Sequence, residues 1–248
     1  MCLILFGYRI DPERPLIVAA NRDEFHGRAA APADFWPDDD NVMAGRDKVA
    51  GGTWLGCTRT GRFAALTNFS HPDDPAAPES RGALVSAFLG GRDSAEHYAH
   101  HLKGADYAGF NLLLFDGVDL VYTSNRGTTD VLTPGYYGLS NAELGAEWPK
   151  CTQGAESLSK WVDHGFEHHD LVAMLRDASV PPDDTLPHRG RPIDMERRLA
   201  PCFIMGDEYG TRASTVLELG IQRIAFSEQS YRAQGLSTGR VQYEFERI

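Results

Sequence analysis

Cys2-Leu3-Ile4-Leu5-Phe6 is apolar at five consecutive positions, so a β-strand here presents apolar side chains to both of its faces. A strand of that kind needs a covering layer above and below. The opening segment therefore dictates a layered fold and places itself near the middle of a sheet. Residues 16–20 read as a second strand, joined to the first (residues 2–10) by the turn Asp11-Pro12-Glu13-Arg14-Pro15, which makes an opening hairpin.

Further strand-like runs occupy residues 62–69, 110–115, 120–124, 201–205, 213–219, 221–226 and 241–246. Two helical stretches interrupt them, residues 82–102 with a break near Gly90-Gly91 and residues 154–178 with a break near Gly165. Strands, helices, strands, helices and strands again predict an α+β layered architecture rather than a βαβ repeat. Residues 180–192 carry Pro181, Pro182, Pro187 and Pro192 and are expected to form a surface loop. No internal repeat or low-complexity linker divides the 248 residues, and residues 1–248 read as one domain, a size that hides roughly 70–75% of its unfolded surface.

The formal net charge of -11 and the lack of a basic stretch argue against nucleic acid or anionic lipid as partners. Residues 3–6 are too short for a signal-peptide core, and no segment approaches the roughly 20 apolar residues of a membrane span. Cys2, Cys57, Cys151 and Cys202 are widely spaced, which fits neither a zinc site nor a disulfide framework and points to a reducing, cytoplasmic setting. His97, His100 and His101 fall on one face of a helix, as do His164 and His168 with His169 beside them. Without a completing ligand motif, both sets are expected to be solvated faces.

Cys2 follows the initiator methionine, so trimming of Met1 would place a thiol and an α-amino group on one residue. Both titrate within reach of neutral pH, and an amine can activate the thiol as a nucleophile without a histidine. At the end of the second apolar run stand Asn21, Arg22, Asp23 and Glu24. Asp23 or Glu24 could orient the amine, Arg22 could hold a carboxylate or lower the thiol pKa, and Asn21 could donate to an oxyanion. Thr67-Asn68 and Ser140-Asn141 are polar tips of other β runs, and residues 209–215 offer Arg212 as an anion holder. Trp36, Trp54 and Trp148 are expected in the core or a pocket wall.

These motifs together resemble the NRDE family, named for Asn21-Arg22-Asp23-Glu24, which includes the Transport and Golgi organisation proteins of animals. The resemblance is carried by Met1-Cys2, residues 19–25, Asp34-Phe35-Trp36, Gly51-Gly52-Thr53-Trp54-Leu55-Gly56, residues 64–68, Gly109-Phe110-Asn111-Leu112, Asn125-Arg126-Gly127, Leu132-Thr133-Pro134-Gly135, residues 137–141 and 209–212, and Tyr243-Glu244-Phe245. It implies an N-terminal nucleophile hydrolase fold, a four-layer αββα sandwich similar to the cysteine amidases that cleave bile salts and penicillin V.

By that resemblance Cys2, Asp23, Asn68 and Asn141 are the catalytic candidates for hydrolysis of a linear amide or thioester. Asn21, Arg22, Glu24, Trp54 and Arg212 are the substrate-binding candidates. No cofactor or metal is required for that reaction. The family is also associated with intracellular haem and acyl-lipid trafficking, which implies instead a carrier using the same pocket. Cys2, His26 or His71 would then be the axial ligand of noncovalently held haem.

Overall fold

The computed structural model describes residues 2–69, 77–187 and 190–248. Among them, one antiparallel sheet has the order β10 (Gly135–Leu139), β1 (Cys2–Tyr8), β2 (Leu16–Phe25), β11 (Tyr209–Leu219), β12 (Arg223–Arg232) and β13 (Leu236–Glu246). A second runs β3 (Ala30–Trp36), β4 (Asp39–Asp47), β5 (Leu55–Thr58), β6 (Phe63–Asn68), β7 (Phe110–Phe115), β8 (Leu120–Ser124) and β9 (Thr129–Val131). The helices are α1 (Gly82–Gly90), α2 (Ala95–His101), α3 (Pro149–His164), α4 (His168–Met174) and α5 (Ile193–Leu199).

Alternation along β1 shows why four layers form. Ile4, Phe6 and Tyr8 point inward and meet Phe63, Leu113 and Phe115 of the other sheet. Leu3 and Leu5 point outward and are covered by Leu158 of α3 and Leu171 of α4. The second sheet repeats the logic, with Leu112 and Leu114 under Leu84, Val85 and Phe88 of α1. Each fully buried side chain of this size contributes about 1.5–3 kcal/mol, so a strand buried on both faces anchors two cores at once. The protein is thus an α+β sandwich of two sheets between helices.

Several boundaries differ from expectation for local reasons. β2 does not stop at Ala20; it continues through Asn21-Arg22-Asp23-Glu24 because β11 pairs with it as far as Tyr209 opposite Phe25. Residues 201–205 form no strand: they are a connection pinned at Cys202, whose carbonyl accepts from Asn21, and at Ile204, whose N–H donates to Thr211. β3, β4 and β5 are not legible as strands: β3 and β4 mix polar and half-exposed positions, and β5, although buried, has only four residues, Gly56 and Thr58 among them. Residues 180–187 are irregular apart from a short 3₁₀ turn, Asp183–Thr185, and α5 follows Pro192 directly.

His168 also departs from expectation. It is buried at the start of α4, with Nδ1 2.8 Å from Ser227 Oγ and Nε2 2.9 Å from Glu218 Oε1. Burial raises the Glu218 pKa, yet the hydrogen bonds from His168 and Arg14 bring it below its ordinary value. His168→Ala is expected to cost about 1–3 kcal/mol in urea denaturation at neutral pH. A depressed carboxylate stabilises above its unfolded pKa and loses that contribution as pH falls through the folded one. The deficit of the variant should therefore shrink in acid.

Candidate active site

Register brings the candidate residues to one end of the sandwich. Cys2 lies opposite Arg22 across the β1–β2 ladder, and Asp23 lies opposite Thr211 across the β2–β11 ladder. Between Thr211 and Ala213 the register shifts, leaving Arg212 as the extra residue of a β-bulge. Bulges re-aim a side chain, and here one polar strand tip serves two surfaces: Thr211 turns to Asp23 while Arg212 lines a cleft.

The cleft has a volume of about 480 Å³ and includes Cys2, Arg22, Asp23, Trp54, Asn68 and Arg212 in its lining. The backbone nitrogen of Cys2 donates to Asn141 Oδ1 at 3.3 Å, and Asn141 Nδ2 donates to the Asn68 carbonyl at 2.6 Å. Ser140 Oγ donates to the Cys2 carbonyl at 2.8 Å. The loop beyond β10 is clamped in turn by Asn111, whose Nδ2 reaches the carbonyls of Ser140 and Ala142 at 3.2 and 2.7 Å, and by Thr67, which donates to Ser140. A buried polar network thus ties the end of β6 to the end of β10 and both to Cys2.

Burial pushes the Cys2 thiol up, and the nearby Asp23 carboxylate adds to this; the Asp23 backbone N–H and Arg22 act against it. The resting thiol is therefore protonated at neutral pH, and attack on a carbonyl requires a base to take the proton. Burial likewise pushes the Asp23 carboxyl up, opposed by Lys150, by the hydrogen bond from Thr211 at 2.7 Å and by Arg22.

Not every candidate reaches the cleft. Asn21 is fully buried with its amide facing the helical layer: Nδ2 donates to the carbonyls of Leu175 and Cys202 at 2.9 and 2.8 Å, and Oδ1 accepts from Ser214. It is a structural bridge, because strand alternation sends it away from Arg22 and Glu24. Arg22 Nη2 sits 3.7 Å from Glu24 and 3.9 Å from Asp47, and Glu24 is part of the same cleft wall. Trp54 is half-buried and packs against both the inter-sheet core and the core under α1.

Of the haem-ligand candidates, Cys2 faces the cleft. Both ring nitrogens of His26 are buried, with Nε2 packed close to Gly210, and His26 does not line the cleft. His71 lies outside the described residues. His97 and His101 are stacked with ring centroids 4.1 Å apart on the exposed side of α2, where His97 lies 3.5 Å from Asp93.

Three residues of the site were not among the candidates named from the sequence. Lys150 is buried, donates to the Leu199 carbonyl at 3.0 Å, and acts electrostatically on Asp23. Its signal was a lysine in the first turn of a helix, an unfavourable end for a cation. Glu228 is buried in the cleft wall and accepts from the Ala33 N–H at 2.9 Å; it occupies an inward position in step with Ile224 and Phe226. Asn111 is a lone amide inside the apolar strand β7.

A sequence profile described as Transport and Golgi organisation 2 matches residues 1–233. The Transport and Golgi organization protein 2 homolog of Bos taurus is 38% identical over 261 residues, covering 93% of each chain. That of Homo sapiens is 34% identical over 275 residues, covering 99% of each. Among solved structures, the Caenorhabditis elegans N-acylethanolamine-hydrolyzing acid amidase ortholog superposes with a TM-score of 0.50 at 11% identity, over 89% of this chain and 94% of that one. At that identity the likeness speaks for the fold, which is the αββα sandwich of N-terminal nucleophile hydrolases.

Proposed function

The chain belongs to the Transport and Golgi organisation 2 family, and from that premise we propose that it is an N-terminal-cysteine hydrolase of linear amides or thioesters. The observation that carries this reading is the setting of Cys2: a thiol in the cleft whose own nitrogen is held by Asn141 at 3.3 Å, at the start of an interior strand of the sandwich.

Removal of Met1 turns that nitrogen into an amine. The amine takes the thiol proton, and the thiolate attacks the substrate carbonyl. Asn68, which lines the cleft, donates to the resulting oxyanion. Asn141 uses its carbonyl oxygen to hold the amine and its amide to fix the end of β6, so its role is to position both partners. Asp23, buried beside Thr211, orients the charged amine. The amine then protonates the leaving amine or thiol, and water releases the acyl group from Cys2 by the same route in reverse.

Intact-mass spectrometry before and after exposure to an electrophilic acyl probe tests this. The expected result is a chain lacking one methionine that gains one adduct, mapped to Cys2. Retained Met1 with no adduct would refute the hydrolase reading and turn attention to haem carriage, which rests on the Cys2 sulfur among the described ligand candidates and is read by haem titration of Cys2→Ala.

A further inference from the structure

The chain carries a formal charge of -11, yet six arginines and four acidic residues line the cleft at Cys2, and how those acids are paired decides its local sign. Asp47 is 2.6 Å from Arg28, and Glu24 is 3.7 Å from Arg22, so two charges of each sign cancel. Asp23 and Glu228 are buried carboxyls whose pKa values burial pushes up; Asp23 accepts from Thr211, and Glu228 accepts from the Ala33 N–H. Arg46 pairs with Asp38 and lies over the Trp36 ring, and Arg81 donates to the Gly109 carbonyl.

The cleft arginines of β11 and β13 are Arg212 and Arg240, the latter exposed on the edge strand and also bordering a second hollow that holds Glu167 and Glu218. Among the described residues, neither has a carboxylate within ion-pairing distance. Arg212 donates to the carbonyls of Phe25 and Arg28, contacts that fix the guanidinium without cancelling its charge. Burial and the charge of Arg22 push its pKa down, although a guanidinium stays protonated throughout the working range. The bulge in β11 aims it at the cleft two strands from Cys2, roughly 10 Å across the ladder at the usual strand spacing. Across the cleft, the second sheet contributes the apolar side chains of Trp54 and Leu66.

We propose that the cleft selects acyl substrates with an anionic head group, a carboxylate or a phosphate seated on Arg212 and Arg240, with the acyl chain lying toward Trp54 and Leu66. The planar guanidinium matches either anion through paired N–H donors. This inference rests on the reading that the cleft at Cys2 is the substrate site, and its test is built to separate the two.

Calorimetric titration of Cys2→Ala, which binds without turnover, would compare N-decanoylethanolamine with its O-phosphate and with N-decanoylglycine. Each anionic ligand is expected to bind about tenfold more tightly than the neutral one. Added salt should erode that preference. Arg212→Gln in the Cys2→Ala background should abolish it while Arg212→Lys preserves most of it, and Arg240→Gln should lower it in a protein with unchanged melting. The phosphate and carboxylate arms show which anion fits better.

Equal affinity for all three ligands overturns the proposal, as does a preference that survives Arg212→Gln. Should Arg212→Gln fail to fold, the neutral-to-anionic ratio and its response to Arg240→Gln decide alone. Tight anionic binding with no turnover by the wild type would retire the hydrolase reading and leave this inference standing. Equal kcat/KM for neutral and anionic amides would do the reverse.

Discussion

Cys2→Ala is expected to reduce acyl transfer by about four orders of magnitude or more, the scale seen when a covalent nucleophile is deleted. The reason is chemical rather than structural. Cys2 is a small side chain at a strand end, and Ala leaves the β1 ladder, the Ser140 bond to its carbonyl and the Asn141 bond to its nitrogen in place. Turnover should therefore vanish while the melting temperature stays close to that of the wild type. Steady-state assays of a medium-chain amide and thioester, paired with thermal melts, check this. Undiminished hydrolysis in a well-folded Cys2→Ala protein would remove Cys2 from the mechanism.

Gly138→Ala is expected to destabilise the protein by about 3 kcal/mol, at the upper end for overpacking a core. A Cβ at this position would lie 2.4 Å from the Cys151 carbonyl oxygen and 2.7 Å from its C and Cα atoms. Those are backbone atoms, so no side chain can rotate away and α3 must lift from β10. The displacement starts three residues from Asn141, which holds the Cys2 nitrogen, so activity should fall along with stability. Gly239→Ala is the matched control: a Cβ there meets nothing within 4 Å, and the change should stay within about 0.5 kcal/mol. Urea denaturation of the pair measures the difference.

What could be read from the residues alone follows from how each signal is generated. The doubly apolar β1, the runs at β7 and β8, and the glycine breaks between α1 and α2 and between α3 and α4 all express burial or backbone constraints that act locally. The strands β3 to β5 carry polar and glycine positions that break the apolar alternation marking a strand, although each pairs with its neighbour in sequence. The extension of β2 through Asp23 is hidden for a different reason, since its partner strand begins at Tyr209.

Cys2, Asp23, Asn68 and Asn141 could be named from their motifs, but their convergence depends on which strands become neighbours. Asn21 illustrates the limit. It belongs to the same motif as Arg22, and a period of two residues sends it to the opposite face, where it bonds to the segments behind the sheet. Lys150 lies far from the motif in sequence, so only the packing of α3 on the sheet brings its charge to bear on Asp23.

The placement of Cys2 on an interior strand, flanked by β10 and β2, divides the labour of the cleft. Its candidate nucleophile pairs with Arg22 in the β2 ladder on one side and is held by the Ser140 and Asn141 side chains on the other, whereas part of the opposite rim is supplied by β13, an edge strand with largely exposed side chains. Sequence drift at the rim can reshape what enters without disturbing the reacting atoms. Relatives with the same sandwich are therefore expected to keep one reaction geometry while diverging in the molecules they accept, and exchanging β13 between them should transfer preference rather than rate.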